Sequence, residues 1–310
     1  MAAGLPELET VEVSGRIGRK VPERLRRRTA QLRRLDDVLG GGDTYRVYVG
    51  EFQATKGLLR EGSYSEETRR ELLSVLAEQA QQAGWAAFDG GRHAVARGLY
   101  EDSYKAASEA GDSALAGNAL AFLAYQTATG DRSAGVDIAE RSCRTAGPDA
   151  PAGVSALLYE RLAWAYAVAG NAGESEKALA AAEEALGEKD QNSQPDWVAW
   201  VDGNELQIMT GRCWAELRRP LRAVPALEKA LSQYDETHAR DKSLYLSWLA
   251  DAYVTSGEIE QAAIATGRAL ELAVGVASVR PRERMAAVMQ RLAVHRAVPA
   301  VAEVLEMARS

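Results

Sequence analysis

The sequence is poor in the residues from which catalytic and metal centres are usually made. There are two cysteines, Cys143 and Cys213, and three histidines, His93, His238 and His295. Thiols 70 residues apart form neither a disulfide framework nor a metal-ligand cluster. Both fall in helical patterns, which predicts buried thiols in a reducing cytoplasm. No histidine stands in a His-Glu-x-x-His or nucleophile-elbow setting, so each is expected at a surface or helix end. The carboxylate pairs Asp36-Asp37 and Glu183-Glu184 lie in helical stretches, where adjacent side chains point about 100° apart and do not converge. A dinucleotide glycine fingerprint is missing. The triplet Gly40-Gly41-Gly42 has no strand before it and no Gly-Lys-Ser/Thr after it, so it reads as a turn. No apolar run of about 18 residues exists, and the N-terminus lacks the features of a secretory signal, so no membrane association is expected. These absences predict a non-enzyme without cofactor or metal, acting in the cytoplasm.

What is present is a spacing. Ala163, Ser175 and Ala182 are small residues separated by 12 and 7 positions, with Tyr166 and a turn glycine, Gly170, between the first two. The same intervals recur at Ala250, Gly257, Ala262 and Ala269, and at Gly84, Gly91, Ala96 and Ser103. They recur at Leu123, Gly130, Gly135 and Ser142, with a large first residue, and at Gly211, Ala223 and Ala230, with Arg218 where the glycine should stand. The five units begin 39, 40, 48 and 39 residues apart. A fixed period of this kind marks a solenoid of helix-turn-helix units. Two helices packed within about 8–10 Å need small side chains where their axes cross. The glycines end first helices in a left-handed conformation. Asp131, Asn171 and Glu258 suit the helix starts that follow, and Pro220 suits a first turn.

Taken in order, residues 1–21 read as an irregular, basic lead containing the alternating Val11-Glu12-Val13. An N-terminal helical pair is expected over 22–64, stopped by Gly40-Gly41-Gly42, restarted at Asp43 or Thr44 and broken at Gly62-Ser63-Tyr64. Five repeats follow over 65–280, opened by Ser65, with a long polar loop from Gly187 to Gln194 and Glu236 to Arg240 leading into the fifth. Two helices over 281–310, broken at Pro299, lack the small-residue spacing and are expected to cap the array. Charge is uneven. From Arg16 to Arg34 nine basic residues stand against Glu23 alone, so this segment carries +8 in a chain of net −7. Two readings of it compete: a nucleic-acid or partner arm, or the solvated side of a helix whose apolar face holds Leu25, Thr29, Leu32, Leu35 and Leu39.

The repeat unit resembles the tetratricopeptide repeat, which has small residues at these three spacings, an aromatic between them and a turn glycine. The likeness covers roughly residues 75–275 and implies an all-α, tetratricopeptide-like helical-hairpin solenoid wound as a right-handed superhelix. Two further stretches narrow it. Arg34-Leu35-Asp36-Asp37-Val38-Leu39-Gly40-Gly41-Gly42-Asp43, followed by Leu58 to Tyr64 and by Ala83-Gly84-Trp85-Ala86-Ala87-Phe88-Asp89, is similar to the C-terminal repeat region of actinobacterial XRE-type (Cro/repressor-like) transcriptional regulators. In that family an N-terminal helix-turn-helix reads DNA and the repeats sense a signal or mediate dimerisation. Such a domain does not fit ahead of the first helix here, so DNA is expected to be reached only through a separate or missing helix-turn-helix.

In tetratricopeptide arrays the first helix of each pair lines the concave face. The resemblance therefore places Gln81, Trp85, Phe88 and Asp89 of the first unit in the groove, with Leu120, Ala124 and Thr127 of the second. Glu160, Trp164 and Val168 of the third unit follow, then Ile208, Arg212 and Glu216 of the fourth. The fifth contributes Ser247, Trp248, Asp251 and Thr255. Trp85, Trp164 and Trp248 read equally as core between repeats. The lysine and asparagine set of the chaperone-tail clamp is absent, since its places hold Glu78, Gln82, Gly117, Ala121, Leu157 and Arg161. The implied function is a regulatory protein that takes a peptide, small-molecule signal or protein partner in its groove and controls transcription, of secondary metabolism or development. A homodimer is left open. The alternative is a passive interaction scaffold without a small ligand.

Overall fold

The computed structural model describes residues 16–36, 41–188, 194–234 and 238–309. Val11-Glu12-Val13, Asp37 to Gly40, Glu236 and most of the polar loop after Gly187 therefore lie outside the described residues. Within them the regular structure is helical, apart from one isolated bridge between Arg16 and Ser63. The helices are α1 (Lys20–Asp36), α2 (Gly41–Glu61), α3 (Glu66–Asp89), α4 (His93–Ala110), α5 (Ser113–Thr127), α6 (Arg132–Ala146) and α7 (Ala152–Val168). They continue as α8 (Ala172–Gly187), α9 (Gly203–Glu216), α10 (Pro220–Leu231), α11 (Ala239–Ser256), α12 (Ile259–Ala273), α13 (Arg280–Leu292) and α14 (Pro299–Met307).

Local chemistry sets the helix ends. Ser65, Asp112, Asp131, Asn171 and Asp202 accept hydrogen bonds from backbone N–H groups of the first turns of α3, α5, α6, α8 and α9. Pro220 and Pro299 sit in first turns, where a missing N–H costs nothing. Gly91, Gly170 and Gly257 take left-handed φ values of 77°, 80° and 87° after α3, α7 and α11. At the equivalent place after α9, Arg218 has φ 56°, the one positive φ among described non-glycine residues. The turn is thus kept where the glycine is not. Gly130 does not adopt this conformation.

The five spaced units fall on five consecutive helix pairs, α3–α4, α5–α6, α7–α8, α9–α10 and α11–α12. Their small positions are buried in the contacts: Ala96, Ser103, Ala163, Ser175, Ala182, Ala223, Ala230, Ala250, Ala262 and Ala269 are all 0% exposed. A Cβ on Gly84 would lie 2.5 Å from the Tyr100 ring, and one on Gly211 would lie 2.4 Å from Leu227 Cγ. Serine serves where a hydroxyl can be satisfied across the pair. Ser103 donates to Ala77 O (2.9 Å), Ser142 to Gly117 O (2.7 Å) and Ser175 to Ala163 O (3.0 Å). The first helices also pack on one another, from α3 on α5 through to α11 on α13, whereas α4, α6, α8 and α10 make no comparable contact among themselves. The first helices therefore form an inner face and the second helices an outer one.

Two regions depart from the expected outline. The glycine triplet does not simply end a helix, because Gly41 and Gly42 form the first turn of α2, two to three residues ahead of the expected cap. The reason is steric: a Cβ on Gly41 would stand 2.5 Å from Ala86 O and 2.8 Å from Asp89 Cβ, so α2 can start against the end of α3 only without side chains. The C-terminal helices lie on the last pair, α13 on α11 and α12 and α14 on α12. The segment before α13, however, also reaches the far end of the chain. Gly42 N donates to Ala277 O (3.0 Å), Val279 N to Asp89 O (3.0 Å) and Ser278 Oγ to Asp89 Oδ1 (2.8 Å). Gly41 N donates to Asp89 Oδ2 (3.0 Å), and the Arg280 guanidinium stands 3.6 Å from the same carboxylate. The array closes on itself at Asp89.

The basic helix α1 is neither bare nor merely solvated. Arg19 pairs with Glu67, Arg26 with Glu71 (3.6 Å), Arg28 with Glu51 (2.8 Å) and Arg33 with Glu78 and Asp196. Most of these pairs face acids on α2 and α3, so much of the positive run is met within the chain. No described helix is long and apolar enough to cross a membrane.

The close approaches make a direct prediction. Ala163→Leu forces a large side chain into the α7–α8 contact and is expected to lower stability by about 1–3 kcal/mol in chemical denaturation. Ile264→Ala on the exposed side of α12, where the side chain is 61% exposed, is expected to change it by no more than about 0.5 kcal/mol.

Candidate ligand cavity on the inner face

The first helices line a partly open cavity of about 600 Å³. Its wall takes Gln81 and Trp85 from α3, Asn118, Phe122 and Tyr125 from α5, and Arg161 from α7. α9 gives Glu205 and Arg212, and α11 gives Asp241 and Tyr245. Arg33 of α1, Trp197 and Trp200 of the α8–α9 connection, and Arg280 at the start of α13 complete it. A cavity of several hundred Å³ with aromatic walls and a few placed charges has the size and character of a small-molecule site.

Its electrostatic centre is Tyr125. Arg212 Nη2 donates to the Tyr125 hydroxyl at 2.8 Å and Arg280 Nη2 at 3.4 Å, while the Arg161 guanidinium lies 5.6 Å from the centre of the ring. Burial would push the phenol up. The charges of Arg212, Arg280 and Arg161, with the hydrogen bond from Arg280, outweigh it and bring Tyr125 down to about 7. The arginines are held by rings in turn. Arg212 lies 4.8 Å from Trp164 and 5.5 Å from Trp248, and Arg280 lies 4.6 Å from Trp85.

The acids behave in the opposite sense. Glu160 is wholly buried, and neither of its oxygens meets a hydrogen-bond partner. Burial, then repulsion from Glu205, drives its carboxyl well above the usual range, toward the neutral form. Glu205 is also raised by burial and accepts from the Tyr245 hydroxyl at 3.3 Å. Asp241 is held low, because its pair with Arg240 at 3.1 Å outweighs burial. The thiols are apart from the cavity wall, and burial raises Cys213 to about 12 and half-buried Cys143 to about 11, so neither is a ready nucleophile.

Of the groove residues expected from the sequence, Gln81, Trp85 and Arg212 line the cavity. Gln81 is committed to structure as well, donating to Ser103 and to Leu115 O and accepting from Asn118 at 2.7 Å. Phe88, Trp164 and Trp248 are buried behind the wall, the two tryptophans edge to face at 5.1 Å. Leu120 and Ile208 are core. Asp89 holds the closure, and Asp251 is taken by Arg218 (3.1 Å), Arg284 (3.5 Å) and Arg291. Thr127 lines a separate shallow pocket with His93 and Arg97, and Glu216 lies outside both. Sequence reasoning missed Tyr125, Arg161, Trp197, Trp200 and Arg280 as wall residues. Two tryptophans within the longest inter-repeat connection were the available sign for one side. Nothing in the repeat spacing marks Arg280, which arrives from outside the array.

An ultraviolet titration of the phenolate is expected to show one tyrosine ionising near pH 7, absent in Tyr125→Phe. Because the folded value of about 7 lies below the ordinary 10.0, this group adds stability as pH rises from 7 to 10. That contribution is lost as pH falls through 7, and Tyr125→Phe should flatten it.

Compared with models of known protein families and with curated proteins, the chain matches none.

Proposed function

We propose that this protein is a tetratricopeptide-like sensor that takes a signal ligand into its inner cavity and controls transcription through a separate DNA-binding element. The observation that carries the reading is the partly open cavity of about 600 Å³, walled largely by first helices and holding Arg161, Arg212 and Arg280 against aromatic rings. The repeat spacing, the left-handed turn positions and the inner packing of first helices support the tetratricopeptide-like solenoid. The transcriptional role rests on the likeness of the 34–43 and 83–89 stretches to XRE-type regulators. The role is one of binding rather than catalysis, in the cytoplasm, without a cofactor. Occupancy would act through Arg280, which lines the cavity and stands beside the Asp89 carboxylate that joins the segment before α13 to the start of α2.

Isothermal titration against fractionated cell extract and peptide pools tests the reading. Trp200 is 43% exposed, its ring faces Arg161 at 5.8 Å, and its indole N–H donates to Trp197 O at 2.9 Å, so Trp200→Ala spares the core. A ligand of this cavity should bind Trp200→Ala about tenfold more weakly, the scale of one lost aromatic contact of 1–2 kcal/mol. Binding untouched by Trp200→Ala and Trp85→Ala would place the ligand elsewhere.

A further inference from the structure

The cavity holds cations that its own acids do not match. Arg33 is paired with Glu78 and Asp196, Arg240 with Asp241, and Arg280 with Asp89. Arg161 and Arg212 form no ion pair with any described residue. Arg212 is 3% exposed, its Nε meets no partner, and its one hydrogen bond goes to the Tyr125 hydroxyl. Arg161 forms no hydrogen bond among the described residues and faces only the rings of Tyr125 (5.6 Å) and Trp200 (5.8 Å). Of the acids that act on this pair through charge, Glu160 and Glu205 are pushed toward the neutral form by burial, and the Tyr125 phenol, drawn toward ionisation, is shared among Arg161, Arg212 and Arg280, so at most one negative charge faces three guanidinium groups. A buried guanidinium without a carboxylate is costly unless something supplies the opposite charge.

Resting on the reading of the cavity as a ligand site, we propose that its ligand is a small organic anion, a carboxylate or phosphate ester on a flat apolar body. Its anionic group is received by Arg161 and Arg212 beside Tyr125, and its body lies among Trp85, Phe122 and Trp200. Guanidinium forks match the paired oxygens of carboxylate and phosphate, and they do so most strongly where water is excluded. The rings favour a planar body, and the volume admits a drug-sized molecule rather than a folded partner or a nucleic acid strand. Arg280 reaches the same hydroxyl from the closing segment, so a bound anion also draws that segment toward the cavity.

Naphthoate, its uncharged isostere naphthamide, and naphthyl phosphate are the probes, followed by tryptophan fluorescence on the full chain. Naphthoate or naphthyl phosphate should bind at least about tenfold more tightly than naphthamide, the scale expected of hydrogen bonds to a charged group. The tighter of the two identifies the anion. Arg161→Gln should erase that preference, bringing the anions to within about twofold of naphthamide in the same variant, and Arg212→Gln should do the same if it folds. Equal binding of charged and neutral probes would overturn the anion assignment and leave the cavity as an apolar ligand site. Binding of none of the three would remove both. Preference for the anion that survives Arg161→Gln and a folded Arg212→Gln would also overturn the assignment, because the charge would then be read elsewhere.

Discussion

The arrangement depends on one desolvated carboxylate. Asp89, wholly buried at the end of α3, accepts from Gly41 N and Ser278 Oγ and stands beside the Arg280 guanidinium. A buried carboxylate is tolerable only when its oxygens are met in this way. Its partners come from the start of α2 and from the segment before α13, 48 to 191 residues away in sequence. Meeting them brings the two ends of a long helical array together. The same contact delivers Arg280 to Tyr125 and to the wall of the cavity. Closure and charge placement are thus one event.

Burial then decides the chemistry. Excluding water strengthens every electrostatic interaction inside, in both directions. Tyr125 is pulled toward ionisation because three guanidinium groups surround it, whereas Glu160 is driven toward protonation by burial and by the neighbouring Glu205. Similar burial thus yields opposite outcomes, set by which partner the packing brings near.

The fold was legible where a single steric demand repeats. Helices that approach closely need almost no side chain at the crossing, and that demand leaves the same mark at Ala163, Ser175 and Ala182 as at Ala250, Ala262 and Ala269. Even Arg218 keeps the turn geometry that glycine serves elsewhere. The cavity was legible only in part, because its wall is set by which helix meets which across the array. The expected groove positions counted along each helix captured Gln81, Trp85 and Arg212, but Asp89 and Asp251 are consumed by arginines from elsewhere in the chain. Gly41 and Gly42 carried a signal that reads as a turn and is instead a close approach at the closure.

The central claim is that the start of α2 and the segment before α13 meet at Asp89 and so place Arg280 in the cavity wall, and a disulfide across the junction tests it most directly. A Cβ on Gly42 would lie 3.3 Å from Ala277 Cβ, close to the roughly 3.5–4.5 Å that a disulfide spans. With Cys143 and Cys213 replaced by alanine, Gly42→Cys together with Ala277→Cys should oxidise to a single intramolecular disulfide under mild conditions and raise the unfolding midpoint. Free thiols persisting in a folded, monomeric protein would contradict the closure and the placement of Arg280 that rests on it.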